Sequence, residues 1–281
     1  MELDHFFIGF ASIDAVSHAA AMLQQAGFTE GSGRTHPGQG SQNRRYFFDN
    51  VMIELLWIHD QSEASLPHNH TLDLINRCQS IGLNRFGVCF RPSPVKRHPG
   101  MVRLADLLEQ SGPSRKPTLC SDHRIDSLSP LFLSDALRPQ YLPPTMAIDI
   151  AVDSIQMPFK AQEPLWFHLS FARPQRTLQQ TEPLTHPNGC SALTDCTLLG
   201  AVSNNTKVNN IKGSTSQGDG VQNMAHKGHA LSLTAQQIVG AGLLAFATST
   251  EPAAALHLVF DHARQQQCVA FGDVLPLVLW Y

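Results

Sequence analysis

No run of lysine or arginine occurs in the chain, and its formal net charge is -3. A protein that tracks a phosphate backbone needs a basic stripe, so nucleic acid is not an expected partner. Acidic tails are missing as well. The longest apolar stretch, around Ile238 to Thr248, is too short and too rich in Gly and Ala to span a bilayer, so no membrane partner is expected. The opening, MELDHFFIGF, has neither a basic n-region nor a long apolar h-region. Six cysteines (Cys78, Cys89, Cys120, Cys190, Cys196, Cys268) are scattered without a CxxC pair. With no export signal, they are expected to be reduced thiols of a cytoplasmic protein. No GxGxxG, Walker, GxSxG or HExxH pattern occurs, which leaves nucleotide binding, serine hydrolysis and zincin chemistry without support.

What is present is an ordinary globular composition: 281 residues, 42% hydrophobic, enough for one large core or two moderate ones. Leu3 to Phe10 reads as a strand. Ser12 stands as an N-cap before a helical stripe of Ile13, Val16, Ala20 and Leu23, and Gly27 sits where that helix stops. A Gly-rich loop follows, then a hairpin: Tyr46 to Phe48 and Val51 to Ile58, joined by Asp49-Asn50. Alternation puts Val51, Ile53, Leu55 and Trp57 on one face and Met52, Glu54, Leu56 and Ile58 on the other. Glu54 is therefore a carboxylate among apolar neighbours and requires a cation, a donor or a proton.

The order β-α-β-β-β is expected to recur. A second unit would run from a strand at Phe86 to Arg91, through a helix at Val102 to Gln110, to a closing strand at Leu165 to Ala172. A third unit would begin at LTDCTLLG, contain a polar surface loop over 203–231, and end with strands at Leu256 to Phe260, Gln267 to Phe271 and Leu275 to Trp280.

The segments LDHFFIG, HPGQGSQNR, IELLWI, HPNG and LTDCTLL together resemble the glyoxalase-like domain of the vicinal oxygen chelate superfamily, from about Leu3 to about Gly200. The resemblance implies an α+β fold of paired βαβββ modules, whose curved mixed sheet encloses a cup-shaped cavity. Residues 1–185 would form the glyoxalase-like domain, with modules at about 1–60 and 84–173, and 186–281 a further βαβββ-like unit. It also implies a divalent metal (Fe, Mn, Ni or Zn) held by His5 on the first strand and Glu54 on the last, with His168 completing the set from the second module. Glyoxalase I proper uses two metal-bound glutamates, and no second Glu stands at a matching position here. The expected activity is then a metal-dependent, dioxygenase- or lyase-like reaction on a small oxygenated substrate, with Glu54 and His36 as catalytic groups. The alternative is a metal-free protein that binds or sequesters a small molecule, with His5 and Glu54 as a polar anchor. The superfamily builds its cup within one chain or across a homodimer, and both arrangements stay open.

Blander readings stand beside these. His5 and Glu54 could be a buried hydrogen-bonded pair without metal, and His168 a strand histidine capped by a neighbour. The dipeptides His36-Pro37, His98-Pro99 and His186-Pro187 are loop formers first. His36, His186 and Asn188 would otherwise reach the cup mouth as acid/base or substrate contacts. Asn43 and Arg44 suit an anionic or carbonyl oxygen of the substrate, although a solvated Arg44 fits the sequence equally. His68 with His70, and His226 with His229, lie in polar stretches and read as exposed loop residues.

Overall fold

A computed structural model describes residues 2–79, 82–91, 132–133, 146–157, 159–171, 185–201, 231–249, 255–272 and 274–281. The helix expected at Val102 to Gln110, the polar loop over 203–231 up to residue 230, His98, His226 and His229 lie outside these residues.

Strand β1 (Glu2–Phe10) leads into helix α1 (Ile13–Gln25). Ser12 caps that helix by accepting a hydrogen bond from the Ala15 N–H at 3.2 Å, and Val16, Ala19, Ala20 and Leu23 form its buried stripe. Gly27, at φ +82°, ends it in the left-handed conformation open to glycine. Strands β2 (Arg34–His36), β3 (Ser41–Phe47) and β4 (Met52–Ile58) follow, and β4 returns to lie parallel to β1. Short helices α2 (Gln61–Ala64) and α3 (Leu74–Cys78) lead on to β5 (Phe86–Arg91). Beyond it come β6 (Phe132–Leu133), β7 (Met146–Ala151), α4 (Phe159–Gln162) and β8 (Leu165–Phe171).

These strands make one eight-stranded mixed sheet in the order β2-β3-β4-β1-β5-β8-β7-β6. The order reads the same from either edge. β1 and β5 pair antiparallel at the centre, each first strand has its module's last strand parallel beside it, and the remaining two strands continue outward. This is the paired-module α+β arrangement expected from the sequence. The central ladder contains a bulge: Leu3 faces Phe90 and His5 faces Cys89, so Asp4 is an extra residue. A bulge re-aims side chains. It turns Leu3 onto the face that packs with Phe6 and Ile8, although strict alternation would have kept Leu3 beside His5 and Phe7.

The back face of the sheet carries Phe6, Ile8, Phe10, Tyr46, Ile53, Leu55, Trp57, Val88, Phe90 and Trp166, packed on the α1 stripe. The front face carries Phe7, Leu56, Cys89, Leu165 and Phe167, covered by Leu72, Leu74 and Cys78 from the α3 region.

The C-terminal part forms a five-stranded sheet in the order β10-β9-β11-β13-β12, from β9 (Leu193–Ala201), β10 (Ala245–Ser249), β11 (Ala255–Phe260), β12 (Cys268–Ala270) and β13 (Leu277–Trp280). Helix α5 (Leu233–Gly240) precedes β10. The pairing departs from the βαβββ module expected for 186–281: opening strand β9 lies between β10 and β11, and the last strand pairs parallel with β11 rather than with β9. The apolar stretch around Ile238 to Thr248 divides into the end of α5 and strand β10. Leu198, Leu256, Leu258, Leu277, Leu279 and Ile238 share one continuous core with the back face of the larger sheet. No helix among the described residues is long and apolar enough to cross a membrane.

Candidate functional site

Alternation from the bulge onward puts His5 and Phe7 of β1 on the front face. Glu54 of β4 joins them, directly opposite Phe7 in the parallel ladder. Arg45 of β3 faces Glu54 in the next ladder, and Cys89 of β5 faces His5 across the sheet centre. The result is a polar strip crossing three neighbouring strand pairs, bordered by the apolar front-face cluster.

His5 is held tightly. Its Nδ1–H donates to Asp4 Oδ1 at 2.6 Å, and Asp4 Oδ2 accepts from Arg91 Nη1 at 3.0 Å. The bulged residue thus becomes the link between His5 and Arg91. Burial opposes a charge on His5, but the interaction with Cys89, the negative charge of Glu54 and the Asp4 hydrogen bond outweigh it, so the His5 pKa stands well above its ordinary value. Burial likewise opposes ionisation of Asp4, yet its hydrogen bond to His5 and the charges of His5 and Arg91 hold the carboxyl below its usual range. Burial pushes the Cys89 thiol up despite the nearby imidazolium. At neutral pH the trio is carboxylate, imidazolium and thiol.

Glu54 is only 7% exposed. It makes no hydrogen bond and no ion pair with any described residue. His5 acts on it through charge alone, because the His5 ring is turned to Asp4. The direct His5–Glu54 hydrogen bond that the sequence allowed is therefore not formed. Arg45 is engaged elsewhere on its module: Nε donates to the Ser32 carbonyl at 2.6 Å and Nη2 to Ser32 Oγ at 2.8 Å, with the guanidinium 5.0 Å from the Phe47 ring centre.

The remaining candidate residues are dispersed over the fold. His36 and Asn43 do lie near the strip, but as a closed, buried network. Ser41 Oγ–H donates to Gln39, so His36 Nδ1–H donates to Ser41 Oγ at 2.8 Å, Asn43 Nδ2 donates to His36 Nε2 at 3.3 Å, and Asn43 Oδ1 accepts the Arg34 N–H at 2.7 Å. Burial lowers the His36 pKa, Arg34, His5 and Arg45 add to that, and Glu54 only partly offsets it, so the imidazole stays neutral.

Arg44 sits on the back face, one residue out of phase with Arg45, and its guanidinium is clasped by Glu30, with Nε to Oε1 at 2.7 Å and Nη2 to Oε2. His186 and Asn188 are pins between the C-terminal part and the end of α1. His186 Nδ1 accepts the Thr29 N–H at 3.0 Å and its Nε2–H donates to the Phe47 carbonyl at 2.9 Å, while Asn188 donates to the Ala26 carbonyl at 2.9 Å and accepts the Cys190 N–H at 3.1 Å. The HPNG turn holds the two sheets together, a structural role. His68 donates to the Gly38 carbonyl at 2.7 Å and His70 to the Ser65 carbonyl at 3.0 Å, both as exposed loop residues.

His168 does not join His5 and Glu54. Leu165 and Phe167 of β8 belong to the front-face cluster and Trp166 to the back, so His168 shares the back face with Trp166. The module symmetry leads to the same placement. Any superposition of β1 on β5 that keeps front on front pairs Glu54 with Leu165, Phe167 or Leu169, all apolar, and never with His168.

A metal site fits poorly. Catalytic metals take three protein ligands with an open position, whereas the described front-face residues bring together His5 and Glu54 with no third His, Asp or Glu from the second module. Among the described residues no group of three His, Cys, Asp or Glu is placed to hold an ion. What the strip offers is one buried carboxylate with open acceptor positions beside a fixed imidazolium.

No family model matches the chain, and no curated protein matches it. Among solved structures, a hypothetical protein from Staphylococcus aureus is 10% identical, with a TM-score of 0.49 over 99% of this chain and 97% of that one. A hypothetical protein from Bacillus halodurans C-125 is 12% identical, with a TM-score of 0.34 over 63% of this chain and 98% of that one. Methylmalonyl-CoA epimerase of Streptomyces coelicolor, in complex with 2-nitronate-propionyl-CoA, is 13% identical, with a TM-score of 0.33 over 62% and 99%. At these scores the likeness by itself carries no inference.

Proposed function

We propose that the chain is a glyoxalase-like protein of the vicinal oxygen chelate type that binds a small molecule on the front face of its first module, with Glu54 as the polar anchor and no metal required. The observation that carries this reading is the state of Glu54: buried, yet accepting no hydrogen bond from any described residue. A largely buried carboxylate with open acceptor positions suits a ligand that supplies a donor. The ligand accordingly brings an N–H or O–H group to Glu54 and apolar surface to Phe7, Leu56 and Phe167. His5, held in place by its hydrogen bond to Asp4, lies on the same face to meet an electron-rich oxygen of the same ligand. Were the site catalytic, Glu54 would be the base and His5 the donor, roles that need no metal-bound intermediate.

The test is thermal stabilisation by a panel of small amines, amides and alcohols, with and without EDTA. A ligand that raises Tm equally in both buffers, and fails to do so with the Glu54→Gln variant, supports the reading. Stabilisation that vanishes in EDTA would instead support the metal-dependent alternative, and stabilisation unchanged in Glu54→Gln would place the ligand elsewhere.

A further inference from the structure

The first turn of α5 holds a second buried polar cluster, remote from the strip in both sequence and role. Glu163 reaches it from the segment before β8: Oε1 accepts the Ser232 N–H at 2.7 Å, and Oε2 accepts from Ser232 Oγ and from Trp166 Nε1 at 3.1 Å. Ser232 Oγ in turn caps the helix by accepting the Ala235 N–H at 3.0 Å. Asp153 approaches from the end of β7, and its Oδ2 accepts the Thr234 N–H at 2.9 Å.

The accounting does not close. Asp153 Oδ1, Thr234 Oγ1 and Gln237 Oε1 are all sealed from solvent, and none has a hydrogen-bond partner. Thr234 is 0% exposed. Thr234 and Gln237 are three residues apart and so lie on one side of the helix, and the Thr234 backbone is already bonded to the other oxygen of Asp153. Asp153 and Thr234 thus meet at the first turn, with Gln237 on the same side of the helix. No described donor lies within hydrogen-bond distance of any of the three. Burial, with a smaller contribution from the charge of half-buried Asp153, pushes the pKa of buried Glu163 up. Neither takes part in an ion pair with a described Lys, Arg or His.

Orphaned oxygens, excess negative charge and no cation describe a hard-ion environment. We propose that Asp153 Oδ1, Thr234 Oγ1 and Gln237 Oε1 form a binding site for a hard, oxygen-coordinated cation of the calcium type, which ties α5 to the second module. Backbone oxygens or water would complete its shell, since calcium takes about six to eight oxygens. The competing occupant is a single buried water, which could donate to Asp153 and Gln237 and accept from Thr234.

The full-length chain, stripped with EGTA, is titrated with TbCl3 under indole excitation, because Trp166 is one hydrogen bond from the cluster. Thermal melts follow in CaCl2, MgCl2 and KCl. The expected result is terbium emission that CaCl2 displaces and Trp166→Phe weakens, with a Tm that climbs with calcium concentration as mass action requires. Both effects are expected to disappear in Asp153→Asn and in the near-isosteric Thr234→Val. Should Asp153→Asn fail to fold, Thr234→Val decides alone. A flat calcium response with no emission overturns the proposal. So does a Thr234→Val variant more stable than wild type at every calcium concentration, since that marks a dry or water-filled gap. Stabilisation by KCl without CaCl2 overturns the assignment to a calcium-type ion.

Discussion

Gly87 and Phe7 face each other across the sheet centre, and the Phe7 ring occupies the space a side chain at 87 would need. A Cβ added to Gly87 would lie 2.0, 2.3 and 2.5 Å from Cε1, Cζ and Cδ1 of that ring. Carbon atoms settle at roughly 3.5–4.0 Å, so the ring must retreat by about 1.5 Å. It has little room, because Phe7 packs against Phe167 at a centroid distance of 5.9 Å within the front-face cluster. Overpacking of this kind costs about 1–3 kcal/mol. The reduced freedom of the unfolded chain returns about 0.4–1 kcal/mol, leaving Gly87→Ala destabilised by roughly 1–2 kcal/mol. Urea melts of a double-mutant cycle with Phe7→Ala isolate the cause: with the ring gone, Gly87→Ala is expected to be neutral or stabilising. Equal cost in both backgrounds would refute the steric reasoning. Because Phe7 stands directly opposite Glu54, the single variant is also expected to weaken ligand binding on the front face.

Asn188→Ala removes two hydrogen bonds from the HPNG turn and is expected to lower stability by about 1–3 kcal/mol in urea melts while leaving ligand-induced stabilisation intact. Loss of ligand response with stability unchanged would return the turn to the binding site. Ser12→Ala removes the α1 cap and is expected to cost about 1 kcal/mol by the same assay. Burial lowers the His186 pKa below 6.5, so the unfolded chain takes up a proton that the folded chain resists. Its contribution is complete above the unfolded value and is lost as pH falls below it. His36 has the same sign, whereas His5, with its raised pKa, contributes below its unfolded value and loses that contribution as pH climbs through the folded one. Replacing His186 with Phe is expected to flatten the decline in stability between about pH 7 and pH 5, measured as urea midpoints, and an unchanged slope would contradict the neutral tautomer.

The first module was legible because its signals are local. The Ser12 cap, the α1 stripe, Gly27 and the period-two hairpin specify β1, α1 and the β3–β4 hairpin without tertiary help, and the same period sets Glu54 among the front-face positions, whereas β2 (Arg34–His36) forms inside what the sequence shows as a Gly-rich loop. The bulge at Asp4 was not legible: alternation has no term for an extra residue, and it is this residue that engages His5 and Arg91. Arg45 was missed for a similar reason. Adjacent arginines look alike in sequence, and only the β3–β4 register puts Arg45 opposite Glu54 and Arg44 on the back. The resemblance sets His168 in the place of Glu54 on the closing strand of the second module, but face parity in β8 puts it on the back face with Trp166. The α5–β10 pair was hidden in an apolar stretch with no clear period, and its pairing with β9 depends on contacts far away in sequence.

Glu54 meets either a small-molecule ligand or a metal. Elemental mass spectrometry decides this most directly, on wild type and on the His5→Ala and Glu54→Ala variants, each incubated with Fe, Mn, Ni or Zn and dialysed without chelator. The structure predicts no near-stoichiometric metal that depends on both residues. A near-stoichiometric ion in the wild type that drops in both variants would contradict it, and would put His5 and Glu54 together around a metal.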